Sequence, residues 1–172
     1  MDQPSVAEVE WDDALVGLYR SQRLPLLRLA VLLTDDSAVA EDVVQDAFVA
    51  LQRRWHAVDP AAAAGYLRTS VINAARSLHR RRSVARRYAW LGDLGQAPPV
   101  DLAVLLADEH REVVRALRRL PRRQREVLVL RYWSELSEAE IAEALGVARG
   151  TVKSSASRGL SALAQQLGGA RG

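Results

Sequence analysis

The feature that most constrains this chain is segment 136–163, which has the pattern of a helix-turn-helix. Ser137 and Glu140 have the spacing of a capping box, in which two residues satisfy each other's backbone N–H groups at the start of a helix. Gly146 follows that first helix as its turn, because glycine adopts positive φ without steric cost. A second helix is predicted from about Arg149, with four inward residues at helical spacing: Val152, Ala156, Leu160 and Leu163.

The outward face of the second predicted helix carries small residues between long cations. Two adjacent i,i+4 rows make up this face: Arg149, Lys153 and Ser157, then Gly150, Ser154 and Arg158. From Gly146 onward the sequence contains no acidic residue. Small residues let a helix backbone approach phosphates, while the cations reach phosphates or base edges. An ordinary solvated face is the simpler interpretation, but geometry, charge and side-chain size together favour binding to duplex DNA.

Composition favours an all-α protein and argues against several chemistries. Aromatic residues make up only 5% of the 172 residues, and Ala, Leu and Arg dominate, which is unfavourable for strands. The chain has no cysteine, and its three histidines are scattered, so we expect neither a metal site nor a cofactor. It lacks a glycine-rich phosphate loop, a nucleophile motif and a convergent carboxylate pair, so we expect no catalytic residues and no enzymatic activity.

Targeting signals and charge limit where the protein can be located and what it can bind. The N-terminus does not resemble a signal peptide, and no apolar run approaches membrane-spanning length, which predicts a soluble cytoplasmic protein without membrane insertion. The net charge of +3 conceals an asymmetry: residues 1–50 carry −7, residues 51–90 carry +8 and residues 91–172 carry +2. The acidic first third suggests an arginine-bearing protein partner, and the basic middle suggests nucleic acid.

Periodicity and chain-breaking residues divide the sequence into two predicted domains. The N-terminal domain, 12–83, should contain three helices, the first of them kinked at Pro25 and the third ending near Arg82. A flexible linker is predicted over 84–107, which is rich in glycine and proline. The C-terminal domain, 108–166, contains the helix-turn-helix. The expected fold is therefore all-α, with two small helical domains joined by a flexible linker.

The second predicted helix has an unusual acidic face beside its apolar stripe. Asp42 and Asp46 form an i,i+4 pair of like charges, which costs a few tenths of a kcal/mol in an isolated helix. Gln45 lies on the same face. A solvated acidic face accounts for these residues as well as a docking surface for an arginine-bearing helix does, and this segment alone leaves both open.

The third predicted helix carries a basic surface with an aromatic residue at its start. Cations beside aromatic rings suit single-stranded or melted DNA, whose bases are unstacked. Tyr66 is a candidate stacking residue, whereas Trp55, just before the loop, is better explained as part of the core. Arg131, immediately ahead of the helix-turn-helix, is a candidate phosphate contact.

Several segments resemble the signatures of one family, in the order in which that family carries them. Segment 40–48, AEDVVQDAF, is similar to the AEDxxQDxF signature of extracytoplasmic-function (ECF) sigma factors, small members of the sigma-70 family. Segment 65–73, GYLRTSVIN, with the arginine run that follows, resembles the family's WLRxxxxN…RR stretch. Segments 120–128, 136–142 and 150–154 resemble its promoter-reading C-terminal domain. The resemblance spans nearly the whole chain and is strongest for the actinobacterial SigE-like group.

The resemblance implies a subunit that directs RNA polymerase to promoters and leaves the chemistry to the polymerase. Asp42, Gln45 and Asp46 would dock on the coiled coil of the largest polymerase subunit. The loop at about 56–65 and the start of the third helix would capture a flipped base of the melted −10 element, and Arg76, Arg80, Arg81 and Arg82 would hold the adjacent backbone. Tyr66 and Asn73 complete the implied set of −10 DNA-binding residues. The helix-turn-helix would contact the duplex −35 element through Arg131, Arg149, Thr151, Lys153, Ser154, Ser157 and Arg158. Members are often held by an anti-sigma factor, which is a further candidate partner.

Departures from the family pattern mean that the target promoter sequence cannot be predicted. Ala148 stands where serine often caps the recognition helix, which should weaken that cap by about 1 kcal/mol. Ser155 and Ser157 replace larger residues of many members, so a promoter sequence cannot be transferred from those members to this chain.

Two other functions are alternatives to that of a sigma factor. A stand-alone helix-turn-helix regulator is the main alternative, but it has no need of the acidic helix. A helical adaptor protein leaves the two basic surfaces unexplained.

Overall fold

All regular secondary structure in the described part of the chain is helical. The computed structural model describes residues 6–88 and 111–168, with side chains from 13 to 81 and from 112 to 168. No strand occurs in these ranges, and the all-α prediction is confirmed. The helices are α1 (Val6–Thr34), α2 (Ser37–Gln52), α3 (Ala63–Tyr88), α4 (Arg111–Arg119), α5 (Arg122–Tyr132), α6 (Glu138–Leu145) and α7 (Arg149–Gly168), with single-turn 3-10 helices at Trp55–Ala57 and Pro60–Ala62. None of these helices is both long and apolar enough to cross a membrane.

The N-terminal helices, α1–α3, pack against one another around a shared apolar core. Asp36 caps α2 by accepting a hydrogen bond from the Val39 backbone N–H at 3.1 Å. One stripe of α2 is buried, and it consists of Ala40, Val43, Val44, Ala47, Phe48 and Leu51. The preceding residue, Asp35, makes the sharp connection between α1 and α2 with a φ of 61°. Trp55 is buried in the 3-10 turn beyond α2, as the core interpretation predicted.

Helix boundaries differ from the predicted ones at three ends. Helix α1 begins at Val6 and not near residue 12, and Pro25 lies inside this single helix. Helix α2 ends at Gln52, before Trp55. Helix α3 continues past Arg82 to Tyr88, because alanine and arginine in this stretch are good helix formers and no glycine or proline interrupts them. The remainder of the predicted linker, 89–107, lies outside the described residues.

The helix-turn-helix forms as its capping residues predict. The Ser137 hydroxyl accepts from the Glu140 N–H at 3.3 Å, and the Glu140 carboxylate accepts from the Ser137 N–H at 2.8 Å, so both halves of the capping box are present. Gly146 ends α6 with a φ of 61° and a ψ of 45°, in the left-handed conformation. Helix α7 then begins at Arg149.

The packing face of α7 differs from the predicted one. The buried residues are Val152, Ser155, Ala156 and Gly159, whereas Leu160 is 41% exposed, so its predicted inward position was wrong. The reason is close packing on α5: a Cβ on Gly159 would lie 3.0 Å from Leu128 Cδ1, closer than an ordinary van der Waals contact. Small residues therefore define the inner face, and a spacing rule based on large apolar residues misses them.

The N-terminal helices and the C-terminal helices, α4–α7, are in contact. Helix α1 packs on α5, and α3 packs on α6. One continuous cluster of buried apolar residues includes members of both groups, from Leu26 of α1 to Val152 of α7. This packing brings the basic side of α3 close to the turn of the helix-turn-helix.

Candidate nucleic-acid and protein interfaces

The predicted docking residues of α2 form one exposed acidic face. Asp42, Gln45 and Asp46 are all solvent-exposed, and their i, i+3 and i+4 spacing places them next to one another. The intervening Val43 and Val44 are buried against the core, which fixes the direction in which the polar residues point. We call these three residues the acidic face.

A groove that sequence reasoning missed adjoins the acidic face. It lies between α1 and α2 and has a volume of about 650 Å³. Tyr19 and Phe48 meet edge-to-face in it, with ring centroids 4.9 Å apart. Tyr19 is 45% exposed, and Val16 and Val49 beside it are also exposed. Gln45 lines the groove as well, so the groove and the acidic face are continuous. One sequence signal could have indicated the groove: Val49 is an apolar residue that lies outside the apolar stripe of α2.

The predicted melted-strand residues lie along one side of α3. Tyr66, Asn73 and Arg80 recur at intervals of seven residues, which places them in one row of a helix. Asn73, Arg76, Arg80 and Arg81 are exposed, and Tyr66 is half-buried against the core. The side chain of Arg82 lies outside the described ones. We call Tyr66, Asn73, Arg76, Arg80 and Arg81 the basic face.

Two arginines of α3 already have backbone partners, one in the helix-turn-helix and one just ahead of it. Arg76 donates from Nη1 to the backbone oxygen of Ala144 at 3.1 Å. Arg68 donates from Nη1 to the backbone oxygen of Ser134 at 3.3 Å. The hydrogen bonds with Ser137 lower the pKa of the Glu140 carboxyl, and the charge of Arg68 lowers it slightly further. The sequence predicted that the basic face would meet DNA and gave no sign of these contacts.

The outward face of α7 is exposed as predicted. All six candidate residues of this helix are accessible: Arg149, Thr151, Lys153, Ser154, Ser157 and Arg158. Arg158 folds back along the helix and donates from Nε to the Ser154 backbone oxygen at 3.2 Å. The Ser154 hydroxyl donates in turn to the Thr151 backbone oxygen at 3.2 Å. The cationic groups on this face are thus carried by a helix whose other side is packed on α5.

Arg131, the predicted phosphate contact ahead of the helix-turn-helix, is engaged within the chain. Its Nη1 lies 3.2 Å from a carboxylate oxygen of Glu138, and its guanidinium lies 5.8 Å from the ring centroid of Tyr132. Tyr132 itself is 60% exposed. A DNA phosphate would have to compete with the Glu138 carboxylate for this guanidinium.

Comparison with known proteins gives a consistent family. Residues 18–93 match the family described as Sigma-70 region 2, and residues 110–163 match Sigma-70, region 4. The RNA polymerase sigma-E factor of Streptomyces coelicolor is 34% identical over 149 residues, which are 86% of this chain and 82% of that protein. The ECF RNA polymerase sigma factor SigM of Mycobacterium tuberculosis is 37% identical over 153 residues, covering 88% of this chain and 76% of that protein.

Two solved structures share the fold. The sigma factor RpoE of Bartonella quintana, in complex with the anti-sigma factor NepR, superposes with a TM-score of 0.62 at 23% identity, over 92% of this chain and 96% of that one. CnrH, in complex with the cytosolic domain of CnrY, superposes with a TM-score of 0.57 at 25% identity, over 92% and 90% of the two chains.

Proposed function

This chain belongs to the sigma-70 family of RNA polymerase sigma factors, within its ECF group, and we propose a division of labour between its surfaces. As a sigma factor it directs core RNA polymerase to promoters. In the proposal, a domain at 12–83 docks on the polymerase and opens the −10 element, a linker spans 84–107, and a domain at 108–166 reads the −35 element. The chain supplies binding surfaces and the polymerase supplies the chemistry, in the cytoplasm.

The acidic face of α2 is the proposed docking surface for core polymerase. The single observation that carries this assignment is the exposure of Asp42, Gln45 and Asp46 together on a helix whose opposite side is buried. Exposed like charges at i,i+4 reduce helix stability slightly, so a partner of opposite charge accounts for them better than folding does.

Charge reversal tests this surface. Asp42→Arg with Asp46→Arg should abolish co-purification of the chain with core polymerase, while its helical circular dichroism signal is unchanged. The matched control is Asp13→Arg with Glu112→Arg, which reverses two exposed carboxylates away from α2. Core polymerase retained by the Asp42/Asp46 variant at the level of the control would refute the assignment.

The basic face of α3 and Arg82 are proposed to hold the melted −10 strand, with the loop at about 56–65 receiving a flipped base. An exposed row of cations beside Tyr66 supports this, because stacking and phosphate contacts together suit unpaired strands. Asn73→Ala with Arg80→Ala should reduce transcription from a duplex promoter. A promoter with a pre-melted −10 region should recover part of the loss, and equal loss on both templates would contradict a role in melting.

The exposed face of α7 is proposed to read the −35 element in the major groove, with Arg131 on the backbone. Lys153→Ala and Arg158→Ala should each weaken promoter-specific initiation, by about 1–3 kcal/mol where a base contact is lost. A lost phosphate contact should also reduce the salt dependence of binding by about one unit of slope. Arg115→Ala, which removes an exposed cation outside α7, is the control. Unchanged initiation from the cognate −35 sequence would show that the wrong face was assigned.

A stand-alone helix-turn-helix regulator is not favoured, because both family matches and the relatives with the highest identity reported above are sigma factors. A gel-shift assay with and without core polymerase separates the two functions, since a regulator would bind duplex DNA tightly alone. We also propose an anti-sigma factor as a partner, and the complex of RpoE, which has the same fold, with the anti-sigma factor NepR supports this.

A further inference from the structure

Lys153 is the one lysine among the 24 Lys and Arg residues of this chain, and the other 23 are arginine. It is exposed on α7, on the face proposed to read the −35 element. We call the six exposed candidate residues of that helix the DNA-reading face: Arg149, Thr151, Lys153, Ser154, Ser157 and Arg158. The sequence therefore offers two amines only, the side chain of Lys153 and the amino terminus.

The Lys153 ammonium is free and open to solvent. It forms no hydrogen bond or ion pair with any residue that the structure describes. The residues one turn away on α7 are Arg149, Gly150, Ala156 and Ser157, so no carboxylate lies within reach along the helix. A Cβ at Gly150 would meet no atom within 4 Å, so the space beside the start of α7 is empty. A reagent in solution can therefore reach this amine.

Lysine and arginine carry the same charge but differ in reactivity. A guanidinium stays protonated throughout the working range of proteins, whereas the uncharged form of a lysine amine is a nucleophile. The amine nitrogen bonds to the carbonyl carbon of an activated acyl donor, either an acyl phosphate or an acyl thioester. The bond from that carbon to the phosphate oxygen or to the sulfur breaks, its electron pair leaves with phosphate or thiolate, and the nitrogen loses a proton to solvent. The product is a neutral amide, so Lys153 is the cation of the DNA-reading face that acylation can remove.

Acylation of Lys153 alters one of the three proposed functional surfaces. The acidic face of α2 and the basic face of α3 contain no lysine, because all other cations of the chain are arginine. The carboxylates proposed to dock on core polymerase, Asp42 and Asp46, are not substrates of this reaction. We therefore expect the acylated chain to retain its affinity for core polymerase while its contact with promoter DNA is weakened.

We propose that Lys153 is an acylation site, and that its modification separates polymerase docking from promoter reading. This inference rests on the proposed assignment of the acidic face to polymerase and of the DNA-reading face to the −35 element. A chain with a neutral residue 153 occupies core polymerase without holding the promoter, so it competes with the unmodified chain. Where core polymerase is limiting and both forms bind it equally, an equal mixture should give about half of the promoter-specific transcription.

The first experiment identifies the modified atom. The full chain is incubated separately with acetyl phosphate and with acetyl-coenzyme A, together with Nα-acetyl-lysine as an internal reference amine, and peptides are analysed by mass spectrometry. We expect an acetyl group on Lys153 with at least one donor, and the donor that reacts identifies the source of the acyl group. Lys153→Arg is the matched control, because it keeps the cation and removes the side-chain amine while the amino terminus is the same in both chains.

The second experiment compares promoter binding by the holoenzyme before and after acetylation. The acetylated wild type should bind a −35 promoter fragment several-fold to about a hundredfold more weakly, which is about 1–3 kcal/mol at about 1.4 kcal/mol per tenfold change. The slope of log affinity against log salt concentration should decrease by about one unit. Lys153→Arg treated with the same donor should bind the promoter as tightly as untreated Lys153→Arg. Co-purification with core polymerase should be equal for the treated and untreated wild type.

Three results would overturn the inference. Lys153 that stays unmodified by both donors while the reference amine is acetylated would mean that it is not an acylation site. Acetylation that leaves promoter binding intact, in a chain whose Lys153→Ala variant is impaired, would mean that the modification does not control reading. Equal losses of promoter and polymerase binding would contradict the separation of the two. Failure of the proposed function is distinguishable, because Lys153→Ala would then have no effect, whereas the mass measurement needs neither DNA nor polymerase.

Discussion

Two glycines of α7 should respond in opposite ways to the same substitution. Gly150 and Gly159 lie in one helix and neither has positive φ, so alanine gains about 0.5–1 kcal/mol of helix stability at either site. At Gly150 a Cβ meets no atom within 4 Å. Gly150→Ala should therefore stabilise the chain by nearly the full amount.

At Gly159 the added methyl group has no room. Its Cβ would lie 3.0 Å from Leu128 Cδ1, and 3.2 Å from both Leu128 Cγ and Gln124 Cβ, where about 3.5–4.0 Å is normal. The Gln124 atom is attached directly to the backbone of α5 and cannot rotate away. Overpacking of this kind costs about 1–3 kcal/mol, which exceeds the gain in helix propensity. We expect a net loss of about 1 kcal/mol, and thus a difference of about 2 kcal/mol between the two variants.

Thermal unfolding followed by circular dichroism measures this difference. For a chain of this length, 1 kcal/mol corresponds to about 2–4 °C, so Gly150→Ala should melt about 4–8 °C above Gly159→Ala. The more stable variant should nevertheless bind the promoter more weakly, because Gly150 lies on the DNA-reading face and its methyl group would hold the helix backbone away from phosphates. A Gly159→Ala melting temperature equal to or above that of Gly150→Ala would refute the packing of α7 on α5, and with it the assignment of the reading face.

The other predictions concern the cap of the helix-turn-helix and the core. Ser137→Ala removes one half of the capping box and should lower the free energy of unfolding by about 1 kcal/mol in a denaturant titration. The hydrogen bonds with Ser137 lower the folded-state pKa of Glu140 below its usual 4.5. The stability that the Glu140 carboxylate contributes is therefore complete above pH 4.5 and is lost as the pH falls through the folded-state pKa. Glu140→Gln should flatten this part of a profile of stability measured between about pH 3 and pH 6. Leu130→Ala, at a fully buried position, should lower the free energy of unfolding by about 2–5 kcal/mol. Leu160→Ala should change it by less than about 0.5 kcal/mol, because this side chain is exposed. Equal losses in the two variants would instead support the predicted inward position of Leu160.

Short-range features of this fold could be read from the sequence, and packing between helices could not. Ser137 and Gly146 were placed correctly because a capping box and a left-handed turn depend only on residues within one or two turns. Leu160 was misplaced because the inner face of α7 is set by the close approach of α5, which Gly159 permits. A pattern of large apolar residues contains no information about such an approach.

The arginine contacts between the N-terminal and C-terminal helices could not be predicted for a different reason. Asp35 and Arg125 are 90 residues apart, and 23 arginines compete as candidate partners for any carboxylate. Arg68 and Arg76 bond to backbone oxygens, which every residue possesses. Such contacts leave no periodic signal, so the sequence alone favoured a basic surface open to DNA.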